Sequence, residues 1–96
     1  LSAIDQSMVF EVVIPKIQKG EIEFYIIRSL FVGFEAYRDK ICNALESYSK
    51  KITIKSASAI KEMRSADKMK VDNLIATWEK AGLIEQKLIE TIKEGK

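Results

Sequence analysis

The chain has 96 residues, 47% of them apolar and 31% charged, and a formal net charge of +2; this length holds one core, and the apolar share excludes a disordered chain. One proline and four glycines exclude the turn chemistry of an all-β chain, and a single cysteine excludes an intrachain disulfide framework and favours a reducing, intracellular setting. The absence of histidine removes the usual base of nucleophile triads and the ligands of helical zinc motifs.

The start, Leu1-Ser2-Ala3-Ile4-Asp5, has no initiating Met and no basic region ahead of an apolar one. It reads as the trimmed edge of a single domain, 1–96, excised from a longer chain, and not as a signal peptide. Ser2 or Asp5 can cap a first helix in which Ile4, Met8, Val9, Val12 and Val13 recur at helical spacing. Pro15 disfavours helical geometry at Ile14, and Gly20 can take the left-handed conformation that ends helices, so a break is predicted from Ile14 to Gly20.

From Glu21 onward only Gly33 and Gly82 interrupt the pattern before Gly95, and no proline follows Pro15. Ile41, Leu45, Tyr48 and Ile52, then Ala59, Met63 and Ala66, then Leu74, Trp78 and Ala81 step by threes and fours, close to a coiled-coil seam. The weakest helix former is Lys51-Ile52-Thr53-Ile54-Lys55-Ser56, where β-branched and polar residues alternate, and a turn is placed there. The reading is an all-α antiparallel helical bundle with two long helices, Glu21 to about Ile52 and about Ala57 to Ala81, plus shorter terminal helices. The last helix spans Leu83 to Lys93, and Gly95-Lys96 frays. The longest apolar-rich stretch, Phe24 to Val32, contains Arg28 and is far short of the roughly 20 residues a bilayer span needs. The run Lys19-Gly20-Glu21-Ile22-Glu23 to Leu30 is echoed at Ala81-Gly82-Leu83-Ile84-Glu85 to Ile92, as expected of one helix-glycine-helix corner used twice.

Catalytic chemistry is sparse. Ser-x-x-Lys recurs at Ser47/Lys50, Ser58/Lys61 and Ser65/Lys68, which is background in a Ser- and Lys-rich helical chain. Glu21 and Glu23 are two apart and point to different helix faces. Cys42 beside Ile41 reads as a packing residue. With no phosphate-binding glycine loop and no calcium loop, no cofactor, metal or small-molecule substrate is implied, and the chain is expected not to be an enzyme.

Two features point to partners. Residues 1–37 carry three Lys/Arg against five Asp/Glu, 38–70 nine against four, and 71–96 four against five. The basic middle offers Lys50, Lys51, Lys55, Lys61, Arg64 and Lys68 as a surface for nucleic acid or an anionic membrane, although Tyr48 is its only aromatic. Second, Ile22 to Tyr37 is apolar around more than one helix face. Phe24, Tyr25, Ile27, Phe31, Phe34 and Tyr37, with Trp78, form a candidate partner interface, the alternative being a buried core helix. The expected function is a protein–protein interaction or scaffolding module, through a protein partner or a homo-oligomer, with nucleic-acid or anionic-membrane binding as the alternative.

Val71-Asp72-Asn73-Leu74-Ile75-Ala76-Thr77-Trp78-Glu79-Lys80-Ala81-Gly82-Leu83-Ile84 resembles the last helical hairpin of the domains that bind the RNA polymerase II tail. Nothing upstream matches those domains' tail-binding helices, so the resemblance implies a hairpin and carries no function. The long lysine-rich helices resemble membrane-curving helical dimers in outline only, and a fold-level likeness does not license a function.

Overall fold

Two glycine corners, two short breaks and the segment 47–56 divide the chain into six α-helices, with no strand among the described residues, 2–94, of a computed structural model. They are α1 (Ala3–Gln18), α2 (Phe24–Gly33), α3 (Arg38–Glu46), α4 (Ala57–Ala66), α5 (Lys68–Lys80) and α6 (Gln86–Lys93). The fraying expected at Gly95-Lys96 lies outside the described residues.

α1 begins where Ser2 caps it: the Asp5 N–H donates to Ser2 Oγ at 3.1 Å. Pro15 does not break this helix, which runs on to Gln18. The missing N–H would have paired with the carbonyl of Glu11, an exposed residue, so the loss falls where water is at hand. The chain turns instead at Gly20, whose φ of +73° suits a residue without a Cβ. The Gly20 N–H donates to the Ile17 carbonyl and the Glu21 N–H to the Lys16 carbonyl, a Schellman close.

α5 ends the same way. Gly82 has φ of +75°, its N–H donates to the Glu79 carbonyl, and the Leu83 N–H donates to the Trp78 carbonyl. In each corner a glutamate three residues on, Glu23 or Glu85, starts the next helix: its carbonyl accepts from Ile26 and Ile27 in one case and from Leu88 and Ile89 in the other. The echoed sequence is thus the same corner built twice.

The bundle is as the periodicity predicts, but each long helix is folded into two. The first breaks at Phe34, whose backbone leaves helical geometry (φ −126°, ψ 78°). There Phe34 and Tyr37 turn onto Phe10 of α1, the first edge-on with centroids 5.4 Å apart and the second stacked at 4.0 Å. Arg38, the first residue of α3, caps the end of α2, donating from Nε to the Phe31 carbonyl at 2.7 Å and from Nη2 to the Val32 carbonyl at 3.1 Å. The second long helix breaks at Asp67 (φ −154°, ψ 87°), whose carboxylate accepts from the Lys70 N–H and so starts α5.

These two breaks are fastened to each other. Arg38 pairs with Asp67 at 3.8 Å, and Lys70 pairs with Asp39 at 2.9 Å. The predicted irregularity at 51–56 is present too: no helix forms between Glu46 and a single 3-10 turn at Ile54–Ser56. Ile52 is buried, and its N–H donates to the Leu83 carbonyl at 2.8 Å.

α4 lies at the centre of the packing, against α2, α5 and α6, while α3 joins α1 to α5. Ala57 and Ala59 let neighbours approach α4 closely, and Ile60 and Met63 fill the space beyond them. The fully buried side chains include Trp78, Phe31, Ile27, Ile41, Leu45 and Ile75, and no polar or charged residue is buried among the described residues.

Two predictions follow from the corners and the cap. Alanine at Gly82 meets nothing within 4 Å and should cost about 1 kcal/mol, the strain of a left-handed alanine. At Gly20 the added Cβ would also come within 2.9 Å of Cδ and Cε of Lys50, the far end of an exposed side chain that can swing aside, so Gly20→Ala should lower the urea midpoint by about as much as Gly82→Ala; no loss in either variant would refute the left-handed corners. Arg38→Met should cost about 1–3 kcal/mol in the same measurement, because it strips donors from two α2 carbonyls and removes the ion pair to Asp67.

Candidate functional site

Trp78 is wholly buried, and its indole Nε1–H donates to the Leu45 carbonyl at 2.7 Å, near the end of α3. Phe24, the first residue of α2, packs edge-on against Trp78 with centroids 6.1 Å apart, and Tyr48 packs edge-on against Phe24 at 5.5 Å. This aromatic ladder carries the core outward to an open groove.

The groove has a volume of about 730 Å³ and runs between the start of α2, the 48–56 segment and the first half of α4. Tyr25 and Tyr48 line it together with Arg28, Lys50, Lys51 and Lys55, and with the hydroxyls of Thr53, Ser56 and Ser58. Its acids are Glu21, Glu23 and Glu62. Arg28 pairs with Glu62 at 3.1 Å, Lys16 with Glu21 at 4.0 Å, and Lys51 reaches out to Glu85 at 3.4 Å. Among the described residues, Lys50 and Lys55 have no ion pair. Burial, and then the Glu23 carboxylate, push the Tyr48 phenol above its ordinary range, so it stays a neutral hydroxyl.

The six basic residues singled out from the sequence separate. Lys50, Lys51 and Lys55 share the groove, while Lys61, Arg64 and Lys68 do not line it. Arg64 is occupied by Asp72, with Nε to Oδ1 at 2.6 Å and Nη2 to Oδ2 at 3.4 Å. A smaller hollow of about 410 Å³ lies on the other side of the same segment, lined by Ile52, Ile54, Leu88 and Thr91 among others.

The seven residues of the candidate interface separate as well. Phe24, Ile27, Phe31 and Trp78 are core residues, buried between helices, so they are not surface contacts of this fold. Phe34 and Tyr37 are half-buried against α1, and Tyr25 alone is exposed, at 60%.

Exposed apolar side chains are found singly at Ile54 and Met69 and on α2 at Ile26 and Val32, but the longest row of them on one helix is on α1. Its core face is Phe10 and Ile17, flanked by Val13 and Ile14. Ile4, Met8 and Val12 occur every fourth residue and are 73%, 60% and 59% exposed. The periodicity read from Ile4, Met8, Val9, Val12 and Val13 follows mostly the exposed stripe and leaves out Phe10 and Ile17, the residues that enter the core. The signal that separates the two stripes is the competing spacing of Phe10, Ile14 and Ile17.

Two of the three Ser-x-x-Lys hydroxyls are engaged elsewhere: Ser47 Oγ accepts from Gln18 Nε2 at 3.2 Å, and the Ser65 hydroxyl donates to the Lys61 carbonyl at 3.3 Å. Among the described residues, no group of three or more His, Cys, Asp or Glu could hold a metal ion, and no helix is long and apolar enough to cross a membrane. Comparison with protein-family models, with curated proteins and with solved structures finds no match.

Cys42 is buried on α3, and its thiol is pushed up from 9.0 to about 11, first by burial and then by Asp39, with Lys70 opposing. The folded chain therefore keeps this proton at a pH where the unfolded chain has lost it. The stability it contributes is complete below about pH 9 and falls as pH rises from there through about pH 11. Cys42→Ala should flatten that part of the decline in urea midpoint between about pH 8 and about pH 10.5; identical slopes for both proteins would refute it.

Proposed function

We propose that the domain is a protein–protein interaction and assembly module that docks through the outward face of α1. The observation that carries this reading is a sixteen-residue helix apolar on both sides: Phe10 and Ile17 enter the core, while Ile4, Met8 and Val12 stand in water. A surface helix with one partner normally turns a polar face outward, and an exposed apolar stripe marks a contact surface. Ile4, Met8 and Val12 step by four along one face, the ridge that packs into the groove of a neighbouring helix, so the complementary partner is another helix and self-association is the simplest form of assembly. This moves the proposed interface from the Phe24 to Tyr37 segment, most of which is spent on the core, to the helix before it.

Light scattering on a sizing column across a wide concentration range tests the reading. The wild-type chain should associate, or bind an apolar-surface dye as a monomer. Met8→Glu with Val12→Glu should abolish both while leaving the circular dichroism spectrum unchanged. A wild-type chain that stays monomeric at every concentration and binds no dye would overturn the reading.

A further inference from the structure

We propose that the groove beside α2 is a second, separate site, which binds a nucleotide unit with its base on Tyr25 and its phosphate against Lys50 and Lys55. The volume of about 730 Å³ lies within the ordinary range of ligand sites, roughly 300–1,000 Å³. Tyr25 presents 60% of its surface to solvent at the groove wall, which is what a stacking platform requires. Tyr48, by contrast, is held by Phe24 and forms a fixed part of the lining.

The electrostatics select an anion. Of the seven charged groups lining the groove, Arg28 is matched by Glu62, Glu21 by Lys16, and Lys51 by Glu85 outside it. That leaves Lys50 and Lys55 facing Glu23, an excess of positive charge in a concave site, where the field is focused. The methylene stem of Lys50 lies across Gly20, close enough that a Cβ there would sit 2.9 Å from it, so the glycine leaves room for this lysine at the groove wall. Thr53, Ser56 and Ser58 add hydroxyls that can bond phosphate or sugar oxygens.

Other anions fit less well. An acidic peptide would satisfy the lysines and leave the exposed ring of Tyr25 unused. A membrane surface is flat, whereas these ammonium groups line a hollow. The shared chemistry, an aromatic base and a phosphate, is offered both by a single strand of RNA or DNA and by a free nucleotide.

The test is fluorescence anisotropy of the full chain with labelled oligouridylate and oligothymidylate of about ten nucleotides, beside a calorimetric titration with uridine monophosphate. Binding should weaken as salt rises, and Lys50→Glu with Lys55→Glu should lower affinity at least tenfold and reduce the magnitude of the log–log salt slope by about 1.4. Tyr25→Ala should weaken binding at least fivefold. Lys61→Glu, outside the groove, should change affinity less than twofold, and circular dichroism would confirm that each variant is folded. Tighter binding of the strand than of the mononucleotide supports the proposal with a strand as the source, and equal affinity supports it with a free nucleotide. Absence of binding to either at millimolar concentration overturns it. Unchanged affinity in the Tyr25 variant together with equal binding of polyglutamate also overturns it, because that pattern is charge alone.

Discussion

The hydrogen bond from the Trp78 indole to the Leu45 carbonyl is the interaction on which the remaining structure hangs. A buried indole N–H without an acceptor costs about 1–3 kcal/mol, so the largest side chain in the core is stable only if some element ends beside it and offers a carbonyl with a lone pair to spare, as Leu45 does while also accepting from the Tyr48 N–H. α3 does this, closing at Glu46 just where Trp78 of α5 arrives. The bond thus fixes the length of α3 and its register against α5. Phe24 and then Tyr48 stack outward from the indole, so the groove wall inherits its position from the core.

The second constraint is geometric. Two helices as long as the apolar seam allows would have buried little, since most of each would extend past its partner. Folding each in two doubles the number of packed faces, at the cost of helix ends that must be satisfied. Arg38 meets most of that cost, because one guanidinium bonds the Phe31 and Val32 carbonyls, pairs with Asp67 at the other break, and lies 5.2 Å from the centroid of the Phe31 ring. Lysine could not serve here, since a point charge lacks the planar fork that reaches several acceptors at once. With Lys70 on Asp39, the start of α3 and the start of α5 become one ionic cluster.

What the sequence makes legible follows from how local each cause is. The corners at Gly20 and Gly82 can be read because a left-handed residue is dictated within a few positions, and so can the irregularity at 51–56, where β-branched residues alternate with polar ones. The breaks at Phe34 and Asp67 cannot, because Gly33 is compatible with a helix and the decisive groups, Phe10 and Arg38, act through space. Pro15 misleads for the opposite reason: its local rule is sound, but the acceptor left without a donor, the Glu11 carbonyl, belongs to an exposed residue, and the helix runs on to Gln18. Of the site, Lys50, Lys51 and Lys55 are adjacent enough to be found together, whereas Tyr25 joins them only once α2 is laid against α4.

Charge shows the same difference between line and fold. The segment 38–70 carries nine basic residues against four acidic ones. In the fold, Arg38, Lys51, Arg64 and Lys70 are paired with carboxylates, two of which, Glu85 and Asp72, come from outside the segment. Lys40 lies 5.8 Å from the centroid of the Tyr37 ring, and Lys61 and Lys68 lie away from the groove. A count along the chain thus overstates the basic surface while hiding where it concentrates. The energetic weight of an ammonium depends on the shape and polarity around it, and a low-dielectric wall strengthens its field where open water would screen it. Among the described residues Lys50 and Lys55 have no ion pair, and they share a hollow lined also by Tyr25 and Tyr48; that combination of properties is supplied by packing, not by composition.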